Sequence, residues 1–151
     1  MIEARTVLVT GGSRGIGLAS AKLFADAGHR VAVTSRNPEA IDDRIFSVAC
    51  DQTDSDAVDV AFAAIEAELG AVQVLVANAG ITRDQLLLRM SDDDFTEVVN
   101  TNLNGAYRVA RRAARPMLRA RWGRLIFVSS VVGLLGSAGQ VNYAASKAGL
   151  I

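Results

Sequence analysis

The chain has 151 residues, half of them hydrophobic and 21% charged, which suits one globular domain and excludes a disordered polypeptide. No apolar run approaches the ~20 residues of a membrane span, and the one cysteine, Cys50, excludes an internal disulfide framework and suits a reducing, cytoplasmic compartment. Sixteen basic residues balance sixteen acidic ones, yet residues 1–107 hold eight bases and all sixteen acids, a net −8, while residues 108–151 carry +8.

Met1–Arg5 runs directly into an apolar stretch, which leaves no room for a signal peptide. Thr6-Val7-Leu8-Val9 is rich in β-branched residues and reads as a buried strand. The turn Thr10-Gly11-Gly12-Ser13-Arg14-Gly15-Ile16-Gly17 comes next, and a helical apolar pattern then runs to a stop at Gly28. Strand, glycine turn and helix together form a phosphate-site pattern: glycines let backbone approach a pyrophosphate, and the helix N-terminus offers free N–H groups. The spacing is Gly-x-x-x-Gly-x-Gly, and a plain tight turn is the alternative reading.

His29–Thr34 is the second strand, and His29 reads as a surface histidine. Such a strand ends beside the adenosine ribose, where an acid would hold the 2′-hydroxyl of NAD. Ser35 and Arg36 stand there instead, and Arg36, joined by Arg14, suits the 2′-phosphate of NADP; the alternative is a solvated arginine in a turn. Pro38–Arg44 is too short for a crossover helix. Ile45–Cys50 reads as the third strand, and Thr53 or Asp54 caps a helix carrying Val58, Ala61, Phe62, Ile65 and Leu69 up to Gly70.

Val72–Ala77 is the fourth strand and leads into Asn78-Ala79-Gly80. Residues 81–90 are irregular; Ser91 then opens a long helix with Phe95, Val98, Val99, Leu103, Tyr107 and Val109, bent by Pro116 and ended by Gly123. Leu125–Ser130 is the fifth strand, Val131–Asn142 a glycine-rich loop, and a last helix begins near Tyr143. Alternating strands and helices predict a doubly wound parallel α/β sheet of the Rossmann type, covered on both faces. With Cys50 and His29 as the only soft ligands, no metal site is expected.

Ligands of such sheets bind beyond the carboxyl ends of the strands, where Ser130, Asn78 and the glycine turn all fall. Tyr143 and Lys147 are four residues apart on the last helix and share a face. A tyrosine ordinarily titrates near about 10, and an adjacent ammonium favours its ionised form, towards a useful acid–base range. Ser130 can then hydrogen-bond a carbonyl that Tyr143 protonates, although a Tyr/Lys pair at this spacing also occurs as a plain surface pair.

Thr10-Gly11-x-x-x-Gly15-x-Gly17, Asn78-Ala79-Gly80, Ser130 and Tyr143-x-x-x-Lys147, in that order, resemble the short-chain dehydrogenase/reductase family. The resemblance implies Tyr143 as general acid, Ser130 as the carbonyl-orienting residue, and Lys147 as the group that tunes Tyr143 and holds the nicotinamide ribose. It implies Asn102 as a fourth active-site residue supporting a proton-relay water, and Asp51 as the adenine contact. Gly11, Ser13, Arg14, Gly15, Ile16, Gly17, Arg36, Asn78, Ala79 and Gly80 complete the implied NADP(H) site. Ala77 departs from the family's Asn-Asn-Ala-Gly; Asn78 is retained.

Within the family, Gly80–Asp84, Ser129–Gly133 and Gln140–Gly149 look most like 3-oxoacyl-acyl-carrier-protein reductases of fatty-acid synthesis. That likeness gives the basic stretch a reading. Arg108, Arg111, Arg112, Arg115, Arg119, Arg121 and Arg124 lie within seventeen residues free of acids, and acyl carrier proteins are strongly acidic. Arg121 and Arg124 match the carrier-docking end of this helix; for the other five a solvated helix face is the alternative. Nucleic-acid binding is not expected.

Family members run to roughly 250 residues, an ordinary single-domain size, and form homotetramers, so residues 1–151 are expected to be one domain incomplete at its C-terminal end. A helix cut two turns in would not hold Tyr143 and Lys147 rigidly, and the chain taken alone is expected to be inactive or nearly so. The alternatives are another short-chain carbonyl reductase or alcohol dehydrogenase, and a non-catalytic dinucleotide-binding fragment.

Overall fold

Five parallel strands form one sheet in the computed structural model. They are β1 (Thr6–Thr10), β2 (Arg30–Ser35), β3 (Ile45–Ala49), β4 (Val74–Ala77) and β5 (Arg124–Phe127), laid side by side as β3-β2-β1-β4-β5. The structure describes residues 3–151; Met1 and Ile2, the start of the segment before β1, lie outside the described residues.

β1 is central, and all five of its residues are buried. Because side chains alternate along a strand, its residues divide between two cores. Leu8 joins Ala32 and Leu75 beneath helices α2 (Ser55–Leu69) and α4 (Gly105–Ala120), against Phe62, Ile65, Val109 and Ala113. Val7 and Val9 join Val31, Val33, Val74 and Val76 on the opposite face, beneath Ala21 and Ala25 of α1 (Gly15–Asp26). Helices therefore cover both faces, as a parallel sheet requires.

The β2–β3 connection holds no helix, in line with its length. Asp54 caps α2, accepting hydrogen bonds from the amides of Asp56 and Ala57. Ser91 and Asp94 form a capping box at the start of α3 (Asp92–Val99). The expected single long helix is instead α3, a π-helical turn at Asn100–Asn104, and α4. A π-turn adds one residue per turn and rotates the helix beyond it, which is why Tyr107 is exposed rather than continuing an apolar stripe. Pro116 is accommodated inside α4.

α4 ends at Ala120, before Gly123: Arg121 takes the left-handed conformation (φ 53°), and the amides of Arg121 and Trp122 cap Leu118 and Met117. β5 is an edge strand of the sheet among the described residues, and its four residues are exposed. The glycine-rich loop contains a short helix, α5 (Val132–Leu135), and α6 runs from Val141 to Ala148. His29 is partly exposed, with its Nδ1 accepting from the amide of Arg5 at 3.1 Å. Among the described residues no helix is long and apolar enough to cross a membrane, and no three His, Cys, Asp or Glu side chains gather into a metal-holding group.

Candidate functional site

All strands point the same way, so the glycine turn after β1, Arg36 after β2, Asp51 after β3, Asn78–Gly80 after β4 and Ser130 after β5 share one rim of the sheet. The glycine turn is built by close approach. The amides of Gly11 and Gly12 both donate to Thr34 O, at 2.8 and 3.2 Å. A Cβ on Gly11 would lie 2.8 Å from Ala79 Cα, and one on Gly17 would press on Gly11 O and lie 2.6 Å from Asn78 Nδ2. Asn78 fastens this turn from the neighbouring strand, its Nδ2 donating to Thr10 O (3.0 Å) and Gly11 O (3.2 Å). Thr10 Oγ1 in turn accepts from the amides of Asn78 and Ala79, both at 3.1 Å.

No side chain caps the N-terminus of α1, and its first turn holds no acid. The amides there lack helical partners, and the macrodipole places partial positive charge on them. With Ser13 and Arg14 leading in and Ile16 exposed, this is a cradle whose donors and shape fit a pyrophosphate.

At the β1 and β2 end of this rim, Arg14 and Arg36 are exposed. Asp51 Oδ1 accepts from the amide and hydroxyl of Thr53, at 2.9 and 2.7 Å. Those bonds hold its carboxyl below the usual carboxylate range, with the charges of Arg36 and Arg108 acting in the same direction. The neighbouring Cys50 is a poor nucleophile: burial, then the charges of Asp51 and Asp54, push its thiol up to about 11.

Asn102 is fully buried in the π-turn, and its carboxamide is fully used. Oδ1 accepts from the amide of Ile81 at 2.8 Å, while Nδ2 donates to Ile81 O and to Ser146 Oγ, both at 3.0 Å. Ser146 Oγ donates to Tyr143 O at 2.8 Å, so Asn102 sets the height of α6 through Ser146. Asn142, also fully buried, donates to Arg83 O (2.9 Å) and Asp94 O (3.2 Å) and fastens the start of α6.

Lys147 and Tyr143 share the face the spacing predicts, with Nζ 5.6 Å from the phenol ring centroid. Lys147 is almost wholly buried, its Nζ donates to Val128 O at 2.8 Å, and burial lowers its pKa below the ordinary lysine value. Ser130 begins the turn into α5: its Oγ accepts from the amide of Val132 (3.3 Å) and its carbonyl from that of Gly133 (2.9 Å). Gly133 lies so close to α6 that a Cβ there would be 2.8 Å from Ala148 N, and Ser129 Oγ donates to Lys147 O at 2.6 Å. The Ser130 turn and the Tyr143–Lys147 helix are thus locked together.

A profile of the short chain dehydrogenase family matches residues 5–151. The chain belongs to that family. Among its relatives, the 3-oxoacyl-acyl-carrier-protein reductases MabA of Mycobacterium avium and Mycobacterium tuberculosis are each 56% identical over 148 residues, covering 98% of this chain and 58% and 60% of the relatives. The 3-oxoacyl-acyl-carrier-protein reductase FabG of Vibrio harveyi is 43% identical over 157 residues, covering 99% of this chain and 64% of the relative. The chain thus spans about three-fifths of the length of these relatives.

Three buried polar side chains were not singled out by the sequence: Asn142, Ser146 and Gln52. A polar side chain on the buried side of an amphipathic helix is the signal that could have found the first two. The seven arginines also divide. Arg112 is paired with Asp59 (3.2 Å) and Glu66 (2.6 Å) and stacks over Phe62, and Arg108 donates to Asn100 Oδ1 at 3.1 Å. Arg121 and Arg124 are exposed, with Arg124 5.1 Å from the Trp122 ring centroid.

Proposed function

We propose that the strand-end rim binds NADP(H) and that the protein reduces a 3-oxoacyl thioester carried on an acyl carrier protein, as the relatives' names state for those proteins. The observation that carries this reading is the Tyr143–Lys147 pair locked against the Ser130 turn, on the same rim as the uncapped N-terminus of α1.

In this reading Gly11, Ser13, Gly15, Ile16 and Gly17 take the pyrophosphate, Arg14 and Arg36 the 2′-phosphate, Asp51 the adenine, and Asn78, Ala79 and Gly80 the stretch towards the nicotinamide. Bound NADPH supplies the hydride. Ser130 Oγ hydrogen-bonds the substrate carbonyl oxygen and Tyr143 Oη protonates it. Lys147 holds the nicotinamide ribose with Tyr143, and its ammonium offsets the charge left on Tyr143 Oη. Asn102, its side chain committed to Ile81 and Ser146, supports a relay water from its main chain. The exposed Arg121 and Arg124 steer an acidic carrier. The protein acts in the cytoplasm and assembles as a homotetramer in the same reading.

The test is NADPH consumption by the protein at the length its source produces, with an acetoacetyl thioester and with free ketones. Faster turnover of the thioester is expected. A preference for free ketones would replace the carrier reading with that of a general carbonyl reductase.

A further inference from the structure

We propose that Gln52 is a positioning residue that fixes the spacing between the two halves of the dinucleotide site. It comes directly after Asp51 on the rim, but its side chain turns inward and is only 7% exposed. Its single Nε2 donates twice, to Thr101 O at 2.7 Å and to Ala79 O at 3.2 Å. A primary amide is suited to this, since it carries two N–H donors on one nitrogen.

The two carbonyls belong to different halves of the site. Ala79 sits against Gly11, and its amide bonds Thr10 Oγ1, so it determines where the glycine turn stands. Thr101 precedes Asn102, which reaches Tyr143 through Ser146. Gln52 therefore ties the pyrophosphate cradle to the turn that places the proton donor.

Its room comes from Gly105, the first residue of α4. A Cβ there would stand 2.7 Å from Gln52 Cγ, 2.8 Å from Nε2 and 2.9 Å from Cδ. Gln52 and Gly105 are thus one fitted pair, and loss of either releases both carbonyls.

The proposal rests on the dinucleotide reading of the rim. It predicts a split that loss of overall stability would not produce: a ligand spanning both halves feels the spacing, and one confined to the adenosine end does not. Gln52→Met keeps the length of the side chain and removes both donors. It is expected to weaken NADPH binding about tenfold, the size of one or two lost hydrogen bonds, and to leave 2′,5′-ADP binding unchanged. Gly105→Ala, which leaves Gln52 in place but displaces its amide, is expected to do the same, and the two effects are expected not to add in the double variant.

Calorimetric titration of the unsubstituted protein and the three variants with both ligands decides. Equal weakening of NADPH and 2′,5′-ADP, no change in either, or full additivity in the double variant overturns the role of Gln52. If the unsubstituted protein binds no NADPH, the dinucleotide reading fails and this proposal fails with it. NADPH binding that Gln52→Met leaves intact overturns this proposal alone.

Discussion

Lys147 Nζ donates to the main-chain oxygen of Val128 at 2.8 Å, so a buried ammonium on α6 closes the chain just beyond β5. The bond fixes a positive charge 5.6 Å from the Tyr143 ring centroid, and the same bond offsets part of the cost of burying that charge.

Lys147→Met is expected to lower turnover by a factor of about 100 or more, the scale of an acid–base contribution, while the backbone fold persists. Stability should also change with pH. Burial lowers the folded pKa of Lys147 below 10.5, so the unfolded chain binds the proton more tightly. That cost is present in full below the lowered pKa and is relieved as pH rises from it towards 10.5. Relative to Lys147→Met, the native chain should therefore gain stability across that alkaline window, as read by urea unfolding at a series of pH values. A relative loss over the same window would contradict the assignment.

Gly15 and Gly17 should respond differently to alanine. Gly15 has φ 57° and nothing within 4 Å of a Cβ, so Gly15→Ala meets backbone strain alone, about 1 kcal/mol. A methyl on Gly17 meets Gly11 O and Asn78 Nδ2, and Gly17→Ala is expected to cost about 2–3 kcal/mol and to abolish NADPH binding. Denaturant midpoints and NADPH fluorescence titrations check both; equal effects would mean that the turn is not held by close approach.

Arg36→Ala is expected to weaken NADPH binding about tenfold, through loss of a charge-assisted contact, and to leave NADH binding unchanged. The NADPH advantage should also shrink with added salt, since Arg36 is exposed. Parallel titrations of the two dinucleotides check this, and an unchanged ratio would remove Arg36 from the site.

Arg121 separates charge from backbone shape. It holds a left-handed conformation at the end of α4, so Arg121→Gly should stabilise the fold by about 0.5 kcal/mol after the added freedom of the unfolded chain is counted. If Arg121 steers an acidic carrier, the same change should slow association with an acyl carrier protein at low salt. Denaturation and stopped-flow binding read the two effects separately.

The strand ends and the glycine turn were legible because their signals are local: β-branched runs, glycines at close approach, and the Asp54 and Ser91 caps. Tyr143 and Lys147 were legible because helical spacing alone places them on one face. The π-turn was not, since Val99 and Leu103 fit an ordinary four-residue step and nothing in the apolar period marks the extra residue. Helix α5 was hidden by Gly133, whose presence answers to the approach of α6 rather than to a loop. Leu125, Ile126 and Phe127 mark a strand by their local apolar run, but their exposure depends on what packs against them. Gln52 reads in the sequence as one more polar residue before a helix cap, because its burial depends on the missing side chain of Gly105, distant in sequence. Arg112 merges into a basic stretch until its partners on α2 are in view.

The most direct test of the account is Tyr143→Phe, measured for both NADPH binding and reduction of an acetoacetyl thioester in the protein as its source produces it. The account predicts NADPH binding close to native and turnover reduced by about 100-fold or more, because only the transferable proton is removed. Turnover near native in Tyr143→Phe would contradict the assignment of Tyr143 as the acid.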